Sequence, residues 1–449
     1  MRTLLRGATV VLPGEVARTD LLIEGGRIVH VGVPAGARAD ETLDLSGLHV
    51  FPGVVDDQVH LREPGLTHKE DLATGTRAAV RGGVTTVFDM PNVAPATTTL
   101  DRLAARIDRA AEVACANVAF FIGATPDNLA ELQRVEAEAG HRVPGIKVFI
   151  GSSTGDLLVD AQDALEALFA GTTLPITAHC EDETTVRANR ARLVAEATGR
   201  ALVPADHVRI RDHAAAVVAT RRAFDLARRH RHRFHLLHVT TADEVEIVRD
   251  ARRHPVLGPL ITAEACVPHL WFTDADYARL GTRLLQNPSV KTAADRAALR
   301  AALADGTLEV IATDHAPHTL DEKARPYPEA PSGMPSLENS LAVVLTLAAS
   351  EGWDLTDVAR WMAEAPARIW GARGKGRIAE GADADLAVVD LSARCVLRDA
   401  DQVTKAGWTP WDGVEVAADV VGTFVGGRRA YWRGAFDEAV RGRPVTFER

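Results

Sequence analysis

Along most of the chain, short apolar runs alternate with longer stretches rich in Ala, Leu and Arg. From about residue 53 to residue 370 the apolar runs have strand length: 85–90, 117–121, 145–150, 176–179, 234–238 and 308–314. The stretches between them read as helix, so this alternation predicts βα units wound around a parallel sheet. The ends read differently. Residues 4–12, 20–23 and 27–32, and again 386–390 and 420–425, are strand-like runs broken by Gly-rich turn signals. Chain termini usually lie close together, so the two β-rich ends are expected to pair.

The 449 residues exceed one ordinary domain, whereas a (β/α)8 barrel runs to about 250 residues or more. The expected fold is therefore α/β: a TIM-type barrel over residues 53–370, with a small β-sandwich assembled from residues 1–52 and 371–449. No run approaches the roughly 20 apolar residues that span a bilayer. The N-terminus turns polar too soon for a signal peptide, and a cytoplasmic enzyme with no membrane partner is expected.

The net charge of -10 argues against nucleic acid as a partner. The one basic run, residues 228–235, closes a helix-like segment, where cations complement the helix dipole. Cys115, Cys180, Cys266 and Cys395 show no paired spacing, which excludes a zinc knuckle and a disulfide framework and leaves them as small buried hydrophobes.

The candidate chemistry lies at strand ends. His60, His179, His238 and Asp314 each close an apolar run. Imidazole and carboxylate together suit zinc and similar divalent ions, and a barrel gathers its ligands at the C-terminal ends of its strands. Lys147 sits inside an apolar run in a chain that uses lysine sparingly. An ammonium buried there needs compensation. Two solutions are a salt bridge to a neighbouring carboxylate and a carbamate formed with carbon dioxide, an anion able to bridge two metals. The Pro- and Gly-containing stretch 315–334 follows the last strand and is expected to overhang the mouth as a lid.

Several motifs carry a resemblance. His60-Leu61-Arg62-Glu63-Pro64-Gly65, Asp89-Met90-Pro91-Asn92, Gly145-Ile146-Lys147-Val148-Phe149, Ala178-His179-Cys180-Glu181, Leu237-His238-Val239-Thr240-Thr241, Thr313-Asp314-His315-Ala316-Pro317-His318 and residues 376–386 resemble the dihydroorotases of the cyclic amidohydrolase family. The resemblance implies one or two zinc ions per chain, with His60 and Asp314 on one metal, His179 and His238 on the other, and a carboxylated Lys147 between them. It implies Asp314 as the catalytic proton carrier, and Arg62, Asn92, Asn287 and His318 as the contacts to a small carboxylate-bearing substrate. It also implies a homodimer, and association with aspartate carbamoyltransferase.

Two positions depart from the pattern. Gln58 stands where the family's first strand carries the first histidine of His-x-His, and an amide oxygen is a poorer zinc ligand than imidazole. The first metal could be weakly held, be absent, or draw on the Gln58 oxygen, Asp56 or Asp57. The run Asn287-Pro288-Ser289-Val290-Lys291 differs from the family's second proline and arginine. The competing readings are another cyclic amidohydrolase, such as an allantoinase or hydantoinase, and an inactive dihydroorotase-like subunit.

Overall fold

The computed structural model describes residues 2–34, 36–151 and 157–449. Its centre is a parallel barrel. Strands Val54–Val59, Val84–Asp89 and Asn117–Phe120 pair in sequence order, and the third continues through Ile122–Gly123 onto Ile146–Ile150. Ile176–Cys180, Phe234–Leu236, Ile261–Cys266 and Val310–Ala312 follow, each parallel to the last. The ring closes where Val59 bridges His315 and the His60 N–H donates to the His315 carbonyl at 2.7 Å.

These strands are buried on both faces, which is why they read as continuous apolar runs rather than alternating ones. The six expected barrel strands are present, with ends shifted by a residue or two or, at 308–314, cut back to Val310–Ala312. Ile261–Cys266 was not singled out. Its sequence, Ile-Thr-Ala-Glu-Ala-Cys, has little of the β-branched and aromatic content that marks a strand.

Several helices begin where the chain supplies a side-chain acceptor for the first-turn N–H groups. Thr241, three residues after His238, caps Ala242–Arg253 and forms a reciprocal capping box with Glu244. Asp71 and Thr292 form the same reciprocal box with Thr74 and Asp295, while Asp182 and Asp212 cap their helices by accepting the N–H groups of Thr185 and Ala215. Helix His213–His230 ends in Arg228, Arg229 and His230, so part of the basic run does close a helix.

The sandwich combines both ends of the chain. A seven-stranded sheet runs in the order Ala435–Phe436, Arg428–Trp432, Asp419–Val425, Leu386–Asp390, His49–Pro52, Thr9–Leu12, Glu15–Arg18. A four-stranded sheet of Arg27–Val31, Leu21–Glu24, Arg2–Arg6 and Glu41–Asp44 packs beside it, with Leu5, Ile23, Ile28, Val50, Leu386 and Phe424 in one shared core. The stretch expected as one strand over 4–12 is two, because Gly7 turns the chain at φ 76°.

Residues 371–449 do not all lie in the sandwich. Val445 and Phe447 pack with Phe88, Phe121 and Trp370 in a cluster that includes the barrel residues Val55, Val310 and Ala312. Gly53 carries the chain from sandwich to barrel past Thr85, whose hydroxyl would lie 2.3 Å from any Cβ added there.

Among the described residues, no helix is long and apolar enough to cross a membrane. Cys180 and Cys266 are buried, Cys115 and Cys395 only partly so, and all four are free.

Candidate metal and substrate site

At the C-terminal ends of the strands lies a cavity of about 560 Å³. Gln58, His60, Arg62, Asn92, Lys147, His179, His238, Asn287, Asp314 and His318 all line it, whereas Asp56 and Asp57, the alternative ligands for the first metal, do not. Arg62, His238 and Asp314 hold φ values of 64°, 37° and 48°. Such backbone is costly for residues with a Cβ and persists where the surrounding structure imposes it, commonly at functional sites.

On one side, His179 Nδ1 and His238 Nε2 face each other at 3.0 Å. Burial holds both imidazoles below the ordinary histidine range, His238 further because His179 is its neighbour, so both are neutral as metal ligands must be. The other His179 nitrogen, Nε2, lies 3.0 Å from Glu181 Oε2, and Arg211 donates to the same oxygen. An outer carboxylate of this kind orients a ligand imidazole. Gly151, at φ 87°, lets the strand carrying Lys147 pass over this point, since a Cβ there would lie 1.8 Å from the Glu181 carbonyl oxygen.

Lys147 lies on the same floor, 1% exposed, with Nζ 4.6 Å from the centre of the Phe149 ring. Among the described residues it makes no ion pair; Asp314 and Glu264 act on it only as charges at a distance. Burial brings the amine down to about 8, so about a tenth of it is neutral at pH 7, far more than for an exposed lysine.

Asp314 receives three groups. His60 Nε2 and Gln58 Nε2 each lie 3.2 Å from Oδ1, and Gln286 Nε2 donates to Oδ2 at 3.0 Å. Burial alone would raise this carboxyl, but the hydrogen bond and charge of His60, then His238 and Gln286, hold it well below the usual carboxylate range. The second ring nitrogen of His60 meets the Asn92 amide at 2.7 Å. Gln58 does not turn its oxygen to the cavity: Oε1 faces the Cys266 thiol, 3.7 Å away. Asp56 and Asp57 are no substitutes, because the first is bonded to Thr313 at 2.5 Å and the second accepts from Trp370 Nε1 at 2.7 Å, below the cavity.

Asp57 instead joins His235 and Glu264 in a fully buried group beneath the site, with His235 Nε2 3.0 Å from Glu264 Oε2. Glu264 also accepts the His238 N–H at 3.2 Å, which ties this lower layer to the strand end above it.

The opposite wall is cationic. The Arg62 guanidinium is buried, donates Nε–H to the Pro317 carbonyl at 3.2 Å, and has no carboxylate partner among the described residues. Burial lowers it to about 10, still charged throughout the useful pH range. Lys69 Nζ lies 3.1 Å from His318 Nδ1 and 3.2 Å from Glu322 Oε1. An ammonium can only donate, so Nδ1 accepts and the His318 proton sits on Nε2, aimed at the Ser332 carbonyl 3.1 Å away. Arg62 Nη2, 3.3 Å from that same Nε2, therefore keeps its N–H groups for another acceptor. Burial first, then Arg62, Lys69 and Lys323, hold His318 neutral.

Asn287 is anchored by His207, whose Nε2 lies 3.1 Å from Asn287 Oδ1, so the amide has N–H donors left to offer. Pro328–Gly333 of the stretch expected as a lid line the mouth, although that stretch also contains the short helix Leu320–Lys323. Sequence reasoning missed Lys69 and Gln286 as members of the site. Lys69 could have been flagged by the scarcity of lysine; Gln286 carries no comparable signal.

A parallel barrel with imidazoles, a buried lysine and an aspartate at its strand ends defines a hydrolase of the amidohydrolase type. The chain belongs to the Amidohydrolase family, whose pattern matches residues 49–430. It is 35% identical over 437 residues to a dihydroorotase of Lactiplantibacillus plantarum, covering 96% of this chain and 99% of the relative. A dihydroorotase of Macrococcus caseolyticus is 32% identical over 442 residues, covering 97% and 99%. Among solved structures, an L-hydantoinase from Arthrobacter aurescens superposes with a TM-score of 0.92 at 25% identity over 99% of each chain. The dihydropyrimidinase from Brevibacillus agri, at TM-score 0.90 and 24% identity over the whole of both chains, shares the fold.

Proposed function

We propose that the chain is a dihydroorotase, interconverting dihydroorotate and N-carbamoyl-aspartate with zinc as its metal. The observation that carries this reading is Arg62: a buried guanidinium with N–H groups uncommitted, in one cavity with the His179–His238 pair and Asp314. A buried cation of this kind calls for an anion, and guanidinium binds carboxylate with two parallel hydrogen bonds. Dihydroorotate carries such a carboxylate beside a cyclic amide; hydantoin and allantoin carry none. The curated relatives, named dihydroorotases at about a third identity across nearly the whole chain, support the same choice.

The donor set fits a divalent metal, because two neutral imidazole nitrogens converge and the neighbouring lysine has no ion-pair partner among the described residues. His179 and His238 would hold it, with Lys147 as a carbamate, which forms when the neutral amine adds carbon dioxide and releases a proton. The metal supplies Lewis acidity, making water a nucleophile at neutral pH.

The chain's own residues do the rest. Arg62 and Lys69 take the carboxylate, and Asn287 N–H donors meet a ring carbonyl. Asp314, ionised and fixed by its three neighbours, takes the proton of the attacking water and passes it to the ring nitrogen as the amide C–N bond breaks. In the reverse direction the same carboxylate takes the ureido proton as the C–N bond forms and returns it to the oxygen that leaves the substrate's carboxyl carbon as water.

The test is turnover of dihydroorotate by the zinc-loaded protein, with hydantoin and allantoin as controls. Hydrolysis of the controls but not of dihydroorotate would contradict the reading.

A further inference from the structure

Asp314 is held by an amide on each of its oxygens: Gln58 Nε2 on Oδ1 at 3.2 Å and Gln286 Nε2 on Oδ2 at 3.0 Å. His60 Nε2 adds a third approach, 3.2 Å from Oδ1. An ionised carboxylate only accepts, so the amide edges facing it are N–H edges. That fixes Gln58. Its nitrogen points to Asp314 and its oxygen to Cys266 Sγ, 3.7 Å away. Turned over, the amide would set two acceptor oxygens against each other in a buried site and leave the thiol without its acceptor. A bulge in the first barrel strand, where Asp57 and Gln58 fall between the paired residues Asp56 and Val59, aims the side chain this way.

We infer that the Gln58 and Gln286 amides occupy, on Asp314, the place a second metal would take, and that the chain binds one divalent metal, on the His179 and His238 side. A carboxylate offers about four lone-pair positions; two are met by the amide N–H groups and a third faces His60 Nε2, so one remains for a proton in transit. The coordinating atom of Gln58 is turned away from the cavity, and a metal on Asp314 would have to displace an amide already bonded there. On the other side, His179 Nδ1 and His238 Nε2 present their nitrogens to each other at 3.0 Å. Gln58 and Gln286 are thus positioning residues that act through Asp314. The inference rests on the metal-dependent reading of the site and narrows it.

The test is a metal count on the full-length protein, loaded with zinc and desalted, together with the electron paramagnetic resonance spectrum of the cobalt-loaded form. One metal per chain and an isolated high-spin cobalt spectrum are expected, and Gln58→His should raise the count to two. Two metals per wild-type chain, a spin-coupled cobalt pair, or a count near zero after loading would overturn the inference. A folded Gln58→His protein that still binds one metal would also overturn it; if that variant does not fold, the wild-type count and spectrum decide. Failure to turn over dihydroorotate with one metal bound would sink the proposed reaction and leave this inference standing.

Discussion

Lys69 and His318 are 249 positions apart in the chain, yet Lys69 Nζ donates to His318 Nδ1 at 3.1 Å and so sets which ring nitrogen carries the proton. This contact frees Arg62 for a ligand and adds a second positive charge to the carboxylate wall. Lys69→Met should therefore raise KM for dihydroorotate about tenfold, the order of one charge-assisted hydrogen bond, with kcat little changed. Steady-state kinetics check it. An unchanged KM would remove Lys69 from the substrate wall.

Arg62 carries the larger share. Hydrogen bonds to charged groups contribute about 1.5–3 kcal/mol each, so Arg62→Met should lower kcat/KM for dihydroorotate by about 10- to 100-fold or more. Dihydrouracil, the same ring without the carboxylate, provides the internal control, since its turnover should fall much less. Equal losses on both substrates would mean that Arg62 supports the fold of the site and not carboxylate recognition.

Trp370 closes the barrel beneath the site and donates Nε1–H to the buried Asp57 at 2.7 Å. Burial, reinforced by Glu264, pushes the Asp57 carboxyl up to about 7, and its Oδ1 has no other partner among the described residues. Trp370→Phe removes the donor and should cost about 1–3 kcal/mol in denaturant unfolding. A change within the about 0.5 kcal/mol of an ordinary surface substitution would contradict the assigned contact.

Stability should depend on pH through Glu338. This carboxyl is 8% exposed and accepts the N–H groups of Val403 and Thr404, and burial raises it to about 7 from an ordinary value of 4.5. The folded state thus binds the proton more tightly than the unfolded chain, so this residue's contribution to stability falls as pH rises from about 4.5 through 7. Glu338→Gln keeps one acceptor and removes that loss. Its melting temperature should exceed the wild type's by more at pH 8 than at pH 5. The same difference at both pH values would contradict the assignment.

The strand-end chemistry was legible because a barrel with buried strands writes each one as an apolar run, and a polar residue at its end stands out. His60, Lys147, His179, His238 and Asp314 could be found that way. Strand Ile261–Cys266 could not, since Thr262 and Glu264 serve a buried polar layer around His235, and the core-facing Ala263 and Ala265 are too small to stand out as an apolar run. The short sandwich strands Glu15–Arg18 and Glu41–Asp44 were missed for a related reason: they carry exposed polar side chains and no apolar run. Gln58 was visible as a departure from the family pattern, but the direction of its amide depends on Asp314 and Cys266, more than 200 positions away. Sequence spacing holds no trace of that relationship, nor of Gln286 on the far oxygen of Asp314.

The most direct test of the whole account is the reaction itself. Zinc-loaded protein is mixed with dihydroorotate, or with N-carbamoyl-aspartate for the reverse direction, and ring opening or closure is followed by absorbance and by chromatography of the products. The account predicts interconversion of these two compounds, lost in Asp314→Ala and far exceeding any turnover of hydantoin or allantoin. A metal-loaded, folded protein that leaves dihydroorotate intact, or that prefers a ring without a carboxylate, would contradict it.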